Sequence, residues 1–181
     1  MSAIPPASGV TIHNGDTMDV SGGASVDSTW ILTGGSQTVG GSSTTSTATN
    51  TNIEGGEQDV VFNGVASYAT IYQGVLRVTG EYVHEGPLPP GEADHTSIEG
   101  GEQDVDTGIA TTTTVNSGGV ENVTNGGTSV ESGGTLTVSN GALASGTTLQ
   151  AFGRLNVEAA GTVDFVDTAI SQLHASNFLI V

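Results

Sequence analysis

Apolar residues in this chain come in short alternating pairs, not long runs. Leu76 and Val78, Leu136 and Val138, and Leu155 and Val157 are interleaved with polar residues such as Arg77, Thr135, Thr137, Arg154 and Asn156. Alternation of period two puts each apolar pair on one face of a short strand and the polar residues on the other. The pairs recur. Aligned on a closing valine, the segments Asp16–Val20, Gly35–Val39, Gly56–Val60, Gly74–Val78, Gly101–Val105, Gly119–Val123, Gly134–Val138 and Gly153–Val157 form one series, with Gly161–Phe165 as its last member. Seven or eight residues before most closing valines stands another apolar residue: Ile12, Ile31, Ile53, Ile71, Ile98, Val115, Val130 or Leu149. After several of them comes Gly-apolar-Ala-Ser or a near relative, at Gly64–Ser67, Gly108–Thr111 and Gly141–Ser145. The unit is strand, glycine corner, strand, glycine corner, with a spacing of about 19 residues.

Two units share the identical octapeptide Ile-Glu-Gly-Gly-Glu-Gln-Asp-Val, at Ile53–Val60 and Ile98–Val105. Such self-similarity is the signature of a stacked repeat architecture. Strands that bury one or two residues each make no core alone, but stacked coil on coil they build a continuous narrow one. The sequence therefore predicts an all-β fold, a parallel β-solenoid of roughly eight to nine short coils. A hairpin-built β-sandwich is the alternative, since short strands between glycine turns fit it too. Strict recurrence of one corner-and-valine unit favours the solenoid. The repeat domain spans residues 1–166, and residues 167–181 form a C-terminal cap or tail. Within the repeats, Ser42–Asn52 is nearly all Ser and Thr and reads as one degenerate coil or a loose bulge. Residues 79–97 break the period and carry Pro87, Pro89 and Pro90. They read as a loop ejected from one corner, because proline has no place in a central ladder.

Composition narrows the function classes. Of 181 residues only two are basic, Arg77 and Arg154, against 19 Asp and Glu, for a formal charge of −17. Neutralising phosphates needs several cations on one face, so nucleic acid is excluded as a partner, and anionic membrane surfaces repel the chain. No apolar run has the length of a transmembrane helix. Cysteine is absent, which removes disulfides and thiolate metal sites. The N-terminus lacks the charged and apolar regions of a cleaved secretory signal. Residues 167–175 could form a short helix with Ile170 and Leu173 on one face, and Asn177 precedes the terminal run Phe178-Leu179-Ile180-Val181. That ending resembles the uncleaved C-terminal signal of type I secreted bacterial proteins. A final strand or plug on the solenoid core is the alternative, and the two are compatible.

The units Thr114–Val123 and Val130–Val138, with the follow-on Ser139–Leu149, resemble the repeats of AIDA-type autotransporter adhesin passengers. The resemblance covers about Val10 to Phe165. It implies a right-handed β-helix outside a bacterial cell with roles in adhesion, aggregation or surface structure, and glycosylation of some Ser and Thr side chains. The chain departs from that pattern in showing neither a signal peptide nor a membrane barrel, which makes a type I-like route the expected means of export.

Candidate chemistry is sparse. Glu57, Asp59, Glu102 and Asp104 occupy matching outward positions, with at least one coil between the two octapeptides to relieve their repulsion. The loop gathers Glu81, His84, Glu85, Glu92, Asp94 and His95, residue types that hold divalent ions such as calcium or zinc. Their spacing matches no established ligand motif, and a solvated acidic loop is the alternative. No cofactor is required. A polysaccharide-cleaving enzyme needs clustered acid–base carboxylates or a base beside bound calcium, whereas Arg77 and Arg154 lie several coils apart. The chain reads as a non-enzymatic structural protein that associates head-to-tail with itself through its ends, Ile4 and Val10 at one and Phe178, Leu179, Ile180 and Val181 at the other. The alternative is an adhesin module binding glycans or cell surfaces, with the loop or the Ser/Thr ladders as its contact.

Overall fold

The computed structural model describes residues 7–80, 89–110, 113–115, 119–123, 126–130, 135–138, 143–149, 154–157, 162–165 and 178–180. They wind as a coil with three sides. The first side stacks β1 (Ala7–Ser8), β4 (Ser25–Asp27), β7 (Ser46–Thr49), β9 (Gly64–Ser67), β11 (Glu92–Asp94) and β14 (Ile109–Ala110). The second begins with β2 (Thr11–Ile12), β5 (Trp30–Leu32) and the first halves of β8 (Asn52–Val60) and β10 (Thr70–Thr79). It goes on through β12 (Thr96–Ile98), β15 (Thr113–Val115), β17 (Gly126–Val130), β19 (Leu143–Leu149) and β21 (Thr162–Phe165). The third side stacks β3 (Thr17–Val20), β6 (Ser36–Val39), the second halves of β8 and β10, and β13 (Glu102–Asp106). It continues as β16 (Val120–Val123), β18 (Thr135–Val138), β20 (Arg154–Val157) and β22 (Phe178–Ile180).

Strand pairing is parallel along all three stacks, which a hairpin-built sandwich cannot give. From β1 to β14 the first side marks five full turns, fewer than the eight to nine coils expected. The difference lies after Ala110. There the closing valines Val123, Val138 and Val157 keep stacking on Val105 along the third side, but among the described residues the first-side sheet ends at β14.

Register confirms the repeat residue by residue. Val20, Val39, Val60, Val78 and Val105 are successive partners on the third side, and Ile12, Ile31, Ile53, Ile71 and Ile98 on the second. Val26, Ala48, Ala66, Ala93 and Ala110 do the same on the first. All fifteen are buried. Three such columns, meeting along one axis, are the core. The first side takes alanine because its coils lie close to the facing columns, so Gly-apolar-Ala-Ser is an inward Ala between outward neighbours. Ser42–Asn52 resolves as a coil, with Ser46–Thr49 forming β7.

A fourth inward column is polar. Met18, Gln37, Gln58, Leu76, Gln103 and Glu121 are successive partners, and Gln37, Gln58, Leu76, Gln103 and Glu121 are fully buried. Gln58 Nε2 donates to Gln37 Oε1 at 2.7 Å and to Thr51 Oγ1 at 3.3 Å, while Gln103 Nε2 donates to Thr113 Oγ1 at 3.4 Å. Amide-to-amide stacking at the strand repeat satisfies groups that would otherwise be costly to bury. Leu76 interrupts the ladder, and the Oε1 atoms of Gln58 and Gln103 on either side of it accept no hydrogen bond.

The corner between first and second sides turns through a left-handed residue in each coil: Gly9 (φ 69°), Ser28 (57°), Asn50 (54°), Tyr68 (56°) and His95 (54°). Their N–H groups point along the axis and continue the ladder, Gly9 to Asp27 O, Ser28 to Thr49 O, Asn50 to Ser67 O and Tyr68 to Asp94 O, at 2.9–3.1 Å. Each non-glycine residue here costs about 1–2 kcal/mol of backbone strain, held by the coils above and below. At the corner between second and third sides Gly74 (φ 94°) packs so closely on the Gly56 carbonyl of the preceding coil that a Cβ has no room.

Candidate functional site

The outward face of the third side carries the chain's charge in register. Along one column run Thr17, Ser36, Glu57, Val75, Glu102 and Val120, and along the next Asp19, Thr38, Asp59, Arg77, Asp104 and Asn122. The octapeptides are thus separated by one strand, β10, and the residue that strand places between their aspartates is Arg77. Its guanidinium pairs with Glu57 and lies 3.5 Å from Asp59 Oδ1. With about 40% of each partner exposed, Arg77 at 40% and Glu57 at 41%, the attraction is screened and worth about 0–1 kcal/mol. On the far side Asn122 Nδ2 donates to Glu102 Oε1 and to Asp104 Oδ1.

Burial pushes the Glu102 carboxyl above its ordinary value, and the adjacent Asp104 carboxylate adds to the rise, with Asn122 and Arg77 opposing it. Burial also raises Asp59. Asp27, at the foot of the left-handed corner, goes the other way, held down by the Asn50 amide and the Ser28 hydroxyl. Glu57, Asp59 and Glu102 lie on the outward face beside one already-paired arginine. Among the described residues no three His, Asp or Glu side chains converge on a point that would hold a metal ion.

The expected loop is narrower than residues 79–97. Glu92, Asp94, Thr96 and Ser97 pair in register with neighbouring coils as β11 and β12, so the inserted stretch runs from Gly80 to Gly91. Its base is tied down: Gly91 N donates to Thr79 O, Asn63 N to Pro89 O, and Thr107 Oγ1 to Gly80 O at 2.7 Å. Of the six residues expected to gather there, Glu81, His84 and Glu85 lie outside the described residues. Glu92 and Asp94 point outward from β11, and His95 occupies the left-handed corner. Only the last two meet, with His95 Nδ1 at 2.8 Å from Asp94 Oδ1. The His95 ring also stacks on Tyr68 of the preceding coil, centroids 5.0 Å apart.

Of the residues assigned to the ends, Ile4 and Val181 lie outside the described residues. Val10 is half-buried against the first coils of the core. Phe178–Ile180 forms β22, which pairs parallel with Leu155–Val157, as expected of a final strand. The short helix expected over 167–175 lies outside the described residues. Three features escaped the sequence reading: the glutamine ladder, the position of Arg77 between the acidic strands, and the left-handed corner. The first was detectable, since Gln58 aligns with Leu76 and Leu136 in the repeat.

No protein-family model matches the chain, and no curated protein sequence does. Among solved structures, the chain is similar to a fragment of TibA, an AIDA-type autotransporter adhesin, crystallised in the form hyper-glycosylated by TibC. The two share 31% identity with a TM-score of 0.71 over 90% of this chain. The chain spans 61% of that fragment's length. The resemblance read from the repeat units therefore holds in both sequence and fold.

Proposed function

We propose that this chain is the adhesive, non-enzymatic β-solenoid of a bacterial surface or extracellular protein. The observation that carries the reading is the likeness to the TibA adhesin fragment across nine-tenths of the chain. The described surface agrees with an adhesin-like solenoid: charged residues are spread along ladders and paired locally. Outward hydroxyls such as Thr47 and Ser25, which bond each other at 3.0 Å, are side chains of the type that a glycosyltransferase would modify, as the TibA fragment is modified.

The finer part of the proposal is head-to-tail association. Parallel rungs leave N–H and C=O groups unpaired at each end of a stack, where a second copy can add. At one end stand Val10 and the first rung β1–β3, and at the other β22 with Phe178, Leu179 and Ile180. Size-exclusion chromatography and negative-stain microscopy of the purified chain test this. Oligomers that grow with concentration, and are lost on deleting residues 178–181 with the circular dichroism of the coil retained, are expected. A monomer at high concentration overturns the association and leaves the adhesive reading, which is tested by retention of chain-coated beads on cell or glycan-coated surfaces.

A further inference from the structure

The inward column that carries the glutamines is matched by a second one inside the corner between the first and second sides. There Val10, Thr29, Thr51, Ala69, Thr96 and Thr113 stack coil on coil. Residue types in the two columns change together. Thr29, Thr51 and Thr96 share their coils with Gln37, Gln58 and Gln103, whereas Val10 shares its coil with Met18, and Ala69 with Leu76. Hydroxyl goes with amide because the two meet in the core. Gln37 Nε2 donates to Thr29 Oγ1 at 3.5 Å, and Gln58 Nε2 to Thr51 Oγ1 at 3.3 Å.

The next coil departs from this pairing. Thr113 shares it with Glu121, a carboxyl where the pattern calls for an amide, and Glu121 is fully buried. Its register partner in the preceding coil is Gln103, as Gln37 is the partner of Gln58. In that earlier pair the later coil donates, from Gln58 Nε2 to Gln37 Oε1 at 2.7 Å. Gln103 Nε2 is already given to Thr113 Oγ1, and Gln103 Oε1 is buried with no hydrogen-bond partner. An ionised carboxylate has no hydrogen to offer that atom, whereas a carboxylic acid has one. The surrounding charge also favours the acid. On one side β13 carries Glu102, Asp104 and Asp106 outward. On the other, β18 (Thr135–Val138) has no titratable residue, and neither has β15 (Thr113–Val115) in the same coil. Arg77 lies on the outward face of β10, engaged with Glu57 and Asp59. Burial and like charges both strengthen a carboxyl's hold on its proton.

We propose that Glu121 is held as the neutral acid and donates its proton to Gln103 Oε1, making a pH-operated joint between β13 and the C-terminal rungs. The acid then plays toward Gln103 the part that Gln58 plays toward Gln37, and the ladder passes from amide to carboxyl without a gap. Position gives the joint its consequence. On the third side β18, β20 and β22 stack in turn on β16, and among the described residues the first-side sheet ends at β14. Loss of the proton sets two acceptors against each other and leaves a negative charge in the core, which is costly. The rungs from β16 onward loosen as pH rises, while the amide ladder of Gln37 and Gln58, which does not titrate, keeps the earlier coils closed.

The test compares the full chain with Glu121→Gln, whose amide can donate to Gln103 Oε1 at every pH. Hydrogen exchange is followed by NMR at the amides of Val120–Val123, with Ser36–Val39 as a reference where parent and variant should agree. A carboxyl that keeps its proton in the fold contributes its stability below the unfolded value and loses it as pH climbs through the folded one. After correction for the intrinsic exchange rate, the opening of β16 in the parent should therefore rise with pH relative to the variant. The rise should approach about tenfold per pH unit, the effect of one proton, from the ordinary glutamate value of about 4.3 up to the folded value. The Cδ resonance of Glu121 gives a second reading that needs no variant. At about pH 5.5, roughly one unit above the ordinary value, it should stand at the protonated position. Parallel exchange in parent and variant across the range, or a parent that becomes more protected than the variant as pH rises, overturns the proposal. An ionised Cδ resonance at about pH 5.5 overturns it as well.

Discussion

Two inward columns of the same solenoid solve burial in different ways. The second-side column repeats one residue, Ile12, Ile31, Ile53, Ile71 and Ile98, five coils in succession. The third-side column beside the valines changes from thioether to amide to alkyl to carboxyl, through Met18, Gln37, Gln58, Leu76, Gln103 and Glu121. Both are sealed from solvent except at Met18, which is partly buried in the first coil. Isoleucine needs only shape, so any coil fits on any other. Glutamine needs a partner in the adjacent coil, so each amide is suited to its neighbour alone. The comparison teaches that the apolar columns set the stack, and the polar column distinguishes one coil from another and so contributes to register.

The largest effect is expected from breaking the apolar column. Ile71→Ala removes a fully buried side chain between Ile53 and Ile98, where rigid neighbours cannot collapse into the space. A loss of about 2–5 kcal/mol is expected, read as a fall in the urea midpoint of the strand circular-dichroism signal. A loss below about 1 kcal/mol would mean that the column is not tightly packed.

The polar column should respond to pairs and not to single residues. Gln58→Leu strands Gln37 Oε1, which accepts from Gln58 Nε2 at 2.7 Å, and should cost about 1–3 kcal/mol. Adding Gln37→Leu removes the orphaned partner and should recover most of that cost. Additive losses in the double variant would show that the amides act independently, against the ladder. Leu76→Gln probes the same column from the other direction. An amide there can donate to Gln58 Oε1, which otherwise has no partner, and accept from Gln103 Nε2. A gain of up to about 1 kcal/mol is expected, since an intramolecular hydrogen bond nets roughly that much.

The contrast also explains what could be read from the sequence alone. The valines, isoleucines and corner glycines carry the fold because each is demanded by its own coil, so the period is visible without knowing what stacks on what. Arg77 is informative only once β10 is known to lie between the octapeptides. The corner at Ser28, Asn50, Tyr68 and His95 has no shared residue type, because the coil requires a backbone conformation there and leaves the side chain free. The loop expected over residues 79–97 ends sooner for the converse reason. Proline marks where the ladder breaks, but Glu92, Asp94 and Thr96 resume it, and among the described candidates nearness in sequence brings Asp94 and His95 together.

The smallest expected effect is on the outward face, where solvent screens what burial amplifies inside. Glu102 has a folded-state pKa raised by burial and by Asp104. A carboxyl raised on folding binds its proton more tightly in the native coil, so its contribution to stability is fully present below the unfolded value and is lost as pH rises through the folded one. Acidification from neutral pH toward the ordinary glutamate range should therefore relieve the Glu102–Asp104 repulsion. The same direction applies to Asp59, whereas the lowered Asp27 is opposite and loses its contribution as acid titrates it. Glu102→Gln keeps the shape, removes the charge and can still meet Asn122 through its carbonyl oxygen. Melting temperature at neutral pH should rise slightly, by a degree or two for a fraction of a kcal/mol in a chain of this size. The gap between parent and variant should close as pH falls toward the ordinary glutamate value. A gap that widens on acidification would mean that the Glu102 carboxylate is stabilising as it stands, with Arg77 and Asn122 outweighing both burial and Asp104.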